Sequence, residues 1–266
     1  MKPTWFRLFT RYAPVLVPGL TRRLRRQNRT GVAALLGVLF VMGCDRNPAR
    51  PTPPTAPNPP TTSSTAGPNS EAAAKAARSA ELANLGTRHL ADGKVAEAVE
   101  SYREAIALSP ADEDLHYNLG IALARLGRLD EAEAEYRTAL KHFPDYAEAH
   151  NNLGNLLLRA GKIDEALGHL RAAIKAMPDY ASAHNNLGNG LRLAGQDEEA
   201  REHFAKAVEL NPKYWEARFN LANMYRASGL VEQANAQYQE VLRLQPDFEP
   251  ARQALSSPPP LLEAPR

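Results

Sequence analysis

Asparagine residues recur at a fixed interval through most of the chain. Five of them follow one another at equal spacing: Asn84, Asn118, Asn152, Asn186 and Asn220. Three more stand one helical turn after the later members of that series: Asn155, Asn189 and Asn223. A carboxamide both donates and accepts hydrogen bonds, so it can pair with the N–H and C=O groups of an extended polypeptide whatever its side chains. The spacing predicts a surface for main-chain recognition, provided that the elements carrying these residues lie side by side.

Histidines follow the same interval at His116, His150 and His184, which raises the question of a metal site. Equivalent helices pack about 10 Å apart, too far for three imidazoles to share one zinc ion at ~2.1 Å. These histidines are therefore predicted to be half-buried packing residues. The sequence has no Ser-His-Asp constellation, phosphate-binding loop or HExxH motif. We expect a protein that is not an enzyme and that uses neither metal nor cofactor.

Prolines define the repeating unit that must position these side chains. Pro110, Pro144, Pro178, Pro212 and Pro246 recur at the same interval as the asparagines, without an insertion. Counting proline as position 32 gives five units: 79–112, 113–146, 147–180, 181–214 and 215–248. Position 15 is always glycine, where a helix is expected to end in the left-handed conformation. Apolar residues at helical spacing on both sides of that glycine predict two amphipathic helices per unit, A and B.

Four further positions carry a family resemblance. Position 7 is leucine and position 20 is alanine in every unit, position 8 is glycine or alanine, and position 24 is Tyr, Leu or Phe. This pattern resembles the tetratricopeptide repeat (TPR) family over about two thirds of the chain. The resemblance implies an all-α, right-handed TPR superhelix of five helix-turn-helix repeats, with a short C-terminal capping helix at 249–256. We place the whole array at 70–256, with the first A helix extended upstream over 71–78.

In the TPR family the A helices line the concave face, so the resemblance places all eight asparagines in a groove. The segment 150–155, nearly repeated at 184–189, is similar to the superhelical arm of O-linked N-acetylglucosamine transferase, where an asparagine ladder holds the acceptor polypeptide. The alternative is that asparagine at these positions is a general feature of TPR sequences. Four arginines near the ends of A helices add a possible basic rim: Arg125, Arg159, Arg192 and Arg226. Such a rim suits acidic peptides or glycan phosphates, whereas the alternative role is to offset the helix C-terminal dipole.

The N-terminus carries a targeting pattern. Eight basic and no acidic residues occupy positions 1–43, and an uncharged apolar stretch at 31–43 is too short to cross a bilayer as a helix. It ends in Val41-Met42-Gly43-Cys44, which resembles the lipobox of bacterial lipoproteins. The resemblance implies removal of a signal peptide, 1–43, and acylation of Cys44, for example with palmitate. A chance cysteine after a short anchor helix is the alternative.

Two segments outside the repeats are poor in apolar residues. Residues 44–69 are rich in Pro, Thr, Ser and Asn, and are predicted to form a disordered stalk or a plain linker; residues 257–266 are predicted to form a disordered tail. The eight leader cations leave 24 basic against 30 acidic side chains, a net charge of −6, for the rest of the chain. The basic character of the whole sequence therefore gives no reason to expect nucleic-acid binding.

These observations predict a membrane-anchored protein–protein interaction scaffold in a bacterial cell envelope. Its groove binds a protein or peptide partner, in a role such as envelope or pilus assembly, and its lipid faces the periplasm. Asp45 favours the inner membrane by the rule of enteric bacteria, and the outer membrane is the alternative. A self-associating structural component is a second function to test. The targeting arm of a glycosyltransferase is disfavoured because only residues 249–266 follow the repeats.

Overall fold

The structure, a computed structural model, describes residues 68–257, with side chains from Ser70 onward. This part of the chain contains eleven helices and no strand. They are α1 (Pro68–Ala91), α2 (Val95–Leu108), α3 (Glu113–Arg125), α4 (Leu129–His142), α5 (Ala147–Arg159), α6 (Ile163–Ala176), α7 (Ala181–Leu193), α8 (Asp197–Leu210), α9 (Trp215–Ala227), α10 (Val231–Leu244) and α11 (Glu249–Ser256). The predicted signal peptide, Cys44, the stalk through residue 67 and the tail from residue 258 lie outside the described residues.

Consecutive helices form antiparallel pairs that stack on their neighbours. The A helices of the five units are α1, α3, α5, α7 and α9, each packed against the B helix that follows it, and α11 packs on α10. The predicted all-α repeat solenoid with a C-terminal capping helix is thus confirmed. Helix α1 begins at Pro68, slightly before the expected start of the array, because proline is favoured in the first helical turn. None of the helices within 68–257 is long and apolar enough to span a membrane.

A left-handed glycine ends each A helix. The φ angles at Gly93, Gly127, Gly161, Gly195 and Gly229 lie between 74° and 78°, which confirms the prediction for position 15. Beyond Gly161, the Lys162 amide donates to the Leu157 carbonyl at 2.9 Å, a bond that closes the helix end in the Schellman pattern. The same turn in all five units fixes the direction in which each B helix returns.

The core lies between the helices and runs continuously through neighbouring units. Position 24 supplies its largest side chains, including Tyr102, Leu170, Phe204 and Tyr238, none more than 1% exposed. Leu153, at position 7 of the central unit, is 0% exposed and belongs to a cluster that extends back to Leu82 in the first unit. Because each hairpin covers the apolar face of the next, no unit has a core of its own.

Glycine at position 8 makes room for the side chain at position 24. A Cβ atom at Gly154 would lie 2.6 Å from Leu170 Cγ, and one at Gly188 would lie 2.7 Å from Phe204 Cε1. The small residue therefore accommodates a B-helix side chain, in addition to allowing the two backbones to approach. Ala222 occupies this position in the fifth unit.

We expect Gly154→Ala to lower the free energy of unfolding by about 1 to 2 kcal/mol, because the added methyl group overpacks the junction with Leu170. Gly168→Ala is the matched control. Gly168 is exposed within α6, and a Cβ there meets no atom within 4 Å. That substitution should raise stability by up to about 1 kcal/mol through helix propensity. Urea unfolding followed by circular dichroism measures both, and equal effects of the two substitutions would contradict the packing described here.

Ion pairs join successive B helices on the outer side of the array. Arg137 contacts Glu165 at 2.5 Å, and Arg171 contacts Glu199 at 3.3 Å, each pair linking position 25 to position 19 of the next unit. These side chains are between 40% and 52% exposed. Exposed pairs of this kind contribute about 0 to 1 kcal/mol each, so the core and the junctions carry most of the stability.

Candidate binding groove

The candidate groove is the face that neighbouring A helices share. Positions 2, 5, 6, 9 and 12 or 13 recur at helical spacing, so they form one stripe along each A helix. Hydrogen bonds between these positions join α9 to α7 and α7 to α5, which shows that the stripes adjoin. The structure therefore brings the predicted asparagines of the central units together on one continuous surface.

Hydrogen-bonded amides run across the floor of this groove. We call this chain the asparagine spine, and its members are Asn220, Asn185, Asn186, Asn151, Asn152 and the hydroxyl of Tyr117. Between helices, Asn220 Nδ2 donates to Asn185 Oδ1 and Asn186 Nδ2 donates to Asn151 Oδ1, both at 2.9 Å. Asn152 Nδ2 donates to Tyr117 Oη at 3.3 Å. The spine links four consecutive units through buried or half-buried polar contacts.

The spine gives the position-6 asparagines a structural role that the sequence did not reveal. In the last three units their Nδ2 atoms are used within the protein, and Asn186 is only 6% exposed. By contrast, Asn84 is exposed and Asn118 half-buried, both at the N-terminal end of the array. The sequence did contain a signal for these contacts, namely a second series of asparagines at position 5. Asn151 and Asn185 stand at that position, each in the unit before the position-6 asparagine that bonds to it.

The position-9 asparagines differ from those of the spine. Asn223 Oδ1 accepts a hydrogen bond from the Tyr238 hydroxyl at 2.7 Å. Asn155 and Asn189 are half-buried, and their side chains make no hydrogen bond within residues 68–257. They lie one turn from the spine on the adjacent helices α5 and α7. Two carboxamides in the middle of the groove therefore retain both donor and acceptor capacity.

The four predicted rim arginines separate into two kinds. Arg125 Nη1 contacts the Leu90 carbonyl at 3.5 Å, and Arg226 Nη1 donates to the Ala254 carbonyl at 3.0 Å. Arg125 and Arg226 thus provide hydrogen-bond donors for carbonyl groups in the last turn of another helix. This role is close to the alternative given in the sequence analysis, in which the arginines offset a helix C-terminal dipole. Arg159 is exposed and Arg192 half-buried, and neither donates to an acceptor in the part of the chain that the structure describes. Burial lowers the pKa of the Arg192 guanidinium, since desolvation disfavours its charge.

Acidic residues stand at the opposite end of the same stripes. Position 2 is Asp114, Glu148 and Glu216 in three units and Ser182 in α7. Asp114 Oδ1 accepts a hydrogen bond from the Tyr146 hydroxyl at 2.6 Å. Burial raises the pKa of Glu216, which is half-buried. The groove thus has an acidic edge at the A-helix N-termini and a basic edge at their C-termini.

Position 4 joins each unit to the one before it. The imidazole Nε2 atoms of His116, His150 and His184 lie 2.8 to 3.0 Å from the position-32 proline carbonyls of the preceding units. Arg218 Nε and Arg252 Nη2 donate to the equivalent carbonyls. The three histidines are therefore junction residues. Within residues 68–257, no group of three or more His, Cys, Asp or Glu side chains is arranged to hold a metal ion.

Two of these junctions contain a pair of histidines. His150 Nδ1 lies 2.9 Å from His169 Nδ1, and His184 Nδ1 lies 2.9 Å from His203 Nδ1. With Nε2 of the first histidine donating to proline, its neutral Nδ1 accepts from the Nδ1–H of the second. We call these two contacts the histidine pairs. The available signal in the sequence was that both pairs have the same spacing.

The surroundings of three of these four histidines, His169, His184 and His203, favour a neutral imidazole. Burial lowers the pKa of His169, His184 and His203, and the partner imidazole adds to the lowering at His169 and His203. In the second unit the partner is Glu135, whose hydrogen bond raises the pKa of His116. The same junction therefore responds to pH with opposite signs in neighbouring units.

Other charges reach the second histidine of each pair. His169 is near Arg137 and Glu133 of α4 and Glu165 of its own helix. These arginine and glutamate side chains act in opposite directions, and desolvation remains the largest influence on the His169 pKa. The arrangement at His203 is equivalent, with an arginine of the preceding B helix and glutamates of its own helix facing it.

A stack of helical hairpins with a polar stripe along its A helices defines a repeat-solenoid scaffold, and the sequence comparisons give its family. A profile described as TPR repeat matches residues 86–127, and profiles described as tetratricopeptide repeat match 123–181, 151–214 and 191–257. The chain belongs to the tetratricopeptide repeat family. Proteins of this family are in general interaction scaffolds. No curated protein matches the chain.

Several solved structures are similar to this chain. MamA 41-end from Desulfovibrio magneticus RS-1 is 27% identical, with a TM-score of 0.57 over 65% of this chain and 97% of that one. PilF of Pseudomonas aeruginosa is 22% identical, with a TM-score of 0.60 over 69% of this chain and 89% of that one. YrrB, a TPR protein with an unusual peptide-binding site, is 22% identical, with a TM-score of 0.54 over 66% and 91%. The similarities to PilF and YrrB show the fold alone.

Proposed function

We propose that this protein is a lipid-anchored adaptor whose A-helix groove holds an extended segment of a polypeptide partner. The observation that carries the proposal is the pair of uncommitted carboxamides, Asn155 and Asn189, on adjacent helices in the middle of the groove. A neighbouring asparagine spine fixes the spacing of the helices that carry them. YrrB, a TPR protein of similar fold with a peptide-binding site, supports peptide binding as a function that this fold can perform.

The dimensions of an extended chain suit these two carboxamides. Adjacent A helices lie about 10 Å apart, and an extended chain rises ~3.3 Å per residue. Asn155 and Asn189 therefore meet main-chain groups two or four residues apart in the bound segment, because alternate residues of an extended chain turn their N–H and C=O groups to the same edge. Because each carboxamide uses a donor and an acceptor, it recognises the peptide unit itself and leaves sequence preference to other residues.

We expect the double substitution Asn155→Ala/Asn189→Ala to weaken binding of a groove peptide about tenfold to thirtyfold, since each lost amide pairing is worth on the order of 1 kcal/mol. Peptides selected from a random nonapeptide display library with the 70–257 array as bait provide the ligand. Fluorescence anisotropy then gives the dissociation constants. The spine asparagines are left intact, so that binding rather than folding is tested.

The control is a pair of carboxamides outside the groove, Asn235→Ala/Gln239→Ala, both on the B helix α10. This variant should bind the selected peptides as the wild type does. Wild-type affinity in the Asn155/Asn189 variant would refute the assigned site. Failure of the library to yield any peptide, together with concentration-dependent size of the array in light scattering, would favour the self-associating structural function instead.

Anchoring through Cys44 is the second part of the proposal, and its support is the Val41-Met42-Gly43-Cys44 pattern. We expect the mature protein to begin at Cys44, to carry acyl chains there and to sediment with membranes on the periplasmic side. Two acyl chains anchor a protein stably where one does not. Intact-mass analysis of the membrane fraction measures the processing, with Cys44→Ala as the unacylated control. A mature protein that retains residues 1–43 or carries an unmodified Cys44 would contradict this expectation.

A further inference from the structure

The two edges of the groove carry opposite charge, and this polarity bears on which peptides fit. Glu148 and Arg159 stand at the two ends of α5, while Glu216 and Arg226 stand at the two ends of α9. The spine and the position-9 carboxamides lie between these edges. A segment that crosses the A helices along the spine therefore has acidic side chains on one flank and arginines on the other.

Arg192 is the part of this surface that most requires an acceptor. Its side chain is half-buried at the end of α7, and no acceptor within 68–257 receives its N–H groups. The Asp197 carboxylate at the start of α8 favours its charge, but less than burial disfavours it. A desolvated guanidinium without an acceptor is unfavourable, and a carboxylate restores its hydrogen bonds in bidentate form. Arg159, exposed at the end of α5, adds a second free cation on the same edge.

The flanking units do not offer this chemistry. The guanidinium groups of Arg125 and Arg226 already contact the carbonyls of Leu90 and Ala254. The free cations and the free carboxamides therefore coincide in the third and fourth units, on α5 and α7. This coincidence locates one recognition centre, about three to six peptide residues long at the rise of an extended chain.

The geometry of an extended chain determines which residues of a bound peptide face each charged edge of the groove. In a strand, successive side chains point to opposite sides, while the N–H and C=O groups point in the perpendicular directions. When the main chain faces Asn155 and Asn189, alternate side chains face the arginine edge and the remaining ones face the acidic edge. An acidic residue toward Arg192 thus has neighbours in sequence that are directed toward Glu148 and Glu216.

We propose that the groove selects extended segments with alternating charge, in which acidic residues at every second position face Arg159 and Arg192 and the intervening residues are basic or neutral. This proposal rests on the proposed function, because it assumes that the groove holds a peptide main chain. It assigns Arg192 as the principal specificity-determining residue and Arg159 as the second.

The same random nonapeptide library tests the proposal, with sequences read after selection on the wild-type 70–257 array. We expect enrichment of Asp or Glu at alternate positions, i with i+2 or i+4, whose separations of ~6.6 Å and ~13 Å lie on either side of the roughly 10 Å between adjacent A helices. Lys, Arg or neutral residues should stand between them. A synthetic peptide of the enriched pattern should bind at least tenfold more tightly than a composition-matched peptide whose charges are grouped in two blocks. Arg192→Met should lower affinity for the alternating peptide roughly tenfold to hundredfold and remove the preference over the block peptide.

Two controls distinguish a loss of peptide recognition from a loss of folding and from a general loss of positive charge. Lys141→Met removes a cation on the B helix α4 and should leave the preference unchanged. Thermal unfolding of Arg192→Met should occur at or above the wild-type temperature, because the change removes a desolvated cation and no hydrogen bond within the described residues is lost. Peptides enriched without charge alternation, or a block peptide that binds equally well, would overturn this inference while leaving groove binding intact. If the library yields no peptide, the proposed function fails and this inference fails with it.

Discussion

Leu153→Ala should lower the free energy of unfolding by about 2 to 5 kcal/mol, the cost of truncating a fully buried leucine. Leu153 is 0% exposed and lies in the central unit, where the clusters of the two halves of the array approach each other. Because neighbouring hairpins share one core, we expect the loss to weaken both sides of the array. Urea unfolding followed by circular dichroism measures the effect.

The matched control is Leu255→Ala, which removes the same side chain from position 7 of the terminal helix α11. Leu255 is half-buried and has no B helix behind it within the described residues. We expect this change to cost about 1 kcal/mol or less, because only part of the leucine surface is buried. Equal losses for the two leucine variants would contradict the placement of the core in the central units.

Acidification should weaken the two central junctions. The pKa values of His169, His184 and His203 are lowered on folding, so the unfolded chain binds more protons as the pH falls below the ordinary histidine pKa of about 6.5. Stability from the histidine pairs is therefore fully present above that pH and is lost below it. Loss of both Nδ1 contacts, together with repulsion between like charges, should remove about 2 to 4 kcal/mol between pH 7.5 and pH 5.

The fifth unit supplies a matched control for this pH effect. There Arg218 takes the place of the first histidine and donates to Gln237 Oε1 at 2.7 Å. Transferring this pair to both sites, as His150→Arg/His169→Gln and His184→Arg/His203→Gln, should remove most of the additional acid sensitivity. The histidine carbon–proton signals in NMR give the pKa values directly. Parallel loss of stability in the wild type and the fourfold variant would show that carboxylates, and not the histidine pairs, cause it.

The helical architecture could be predicted from the sequence because the same structural requirements recur in all five units. Position 15 requires a left-handed turn and position 7 requires burial, and both requirements return in every unit. The spine and the histidine pairs were not predicted, because each depends on which side chains face one another between helices. Periodicity relates position 6 and position 4 to their own helix, whereas Asn151 contacts the next unit and His169 contacts the other helix of its own unit.

The groove arginines illustrate the same limit in another way. Arg125, Arg159, Arg192 and Arg226 all stand near the ends of their A helices, yet only the first and last contact a carbonyl of a neighbouring helix within 68–257. The difference arises from local packing at the two ends of the array: Leu90 belongs to the first A helix, and Ala254 to the terminal one. The repeat period predicts where each arginine lies on its helix. The contacts that it makes in the structure determine whether its N–H groups remain available for a ligand.

The asparagine contacts on the two sides of the fourth unit are equivalent, and this equivalence has an evolutionary consequence. Asn186 bonds to Asn151, and Asn220 bonds to Asn185, through the same atoms and at the same distance of 2.9 Å. Unequal recombination that deleted residues 181–214 would place Asn220 against Asn151 and Arg218 against the carbonyl of Pro178, with both types of bond preserved. Duplication of the same segment would preserve them equally. The length of the groove can therefore change by whole units in a single genetic event, without an intermediate that lacks a folded junction.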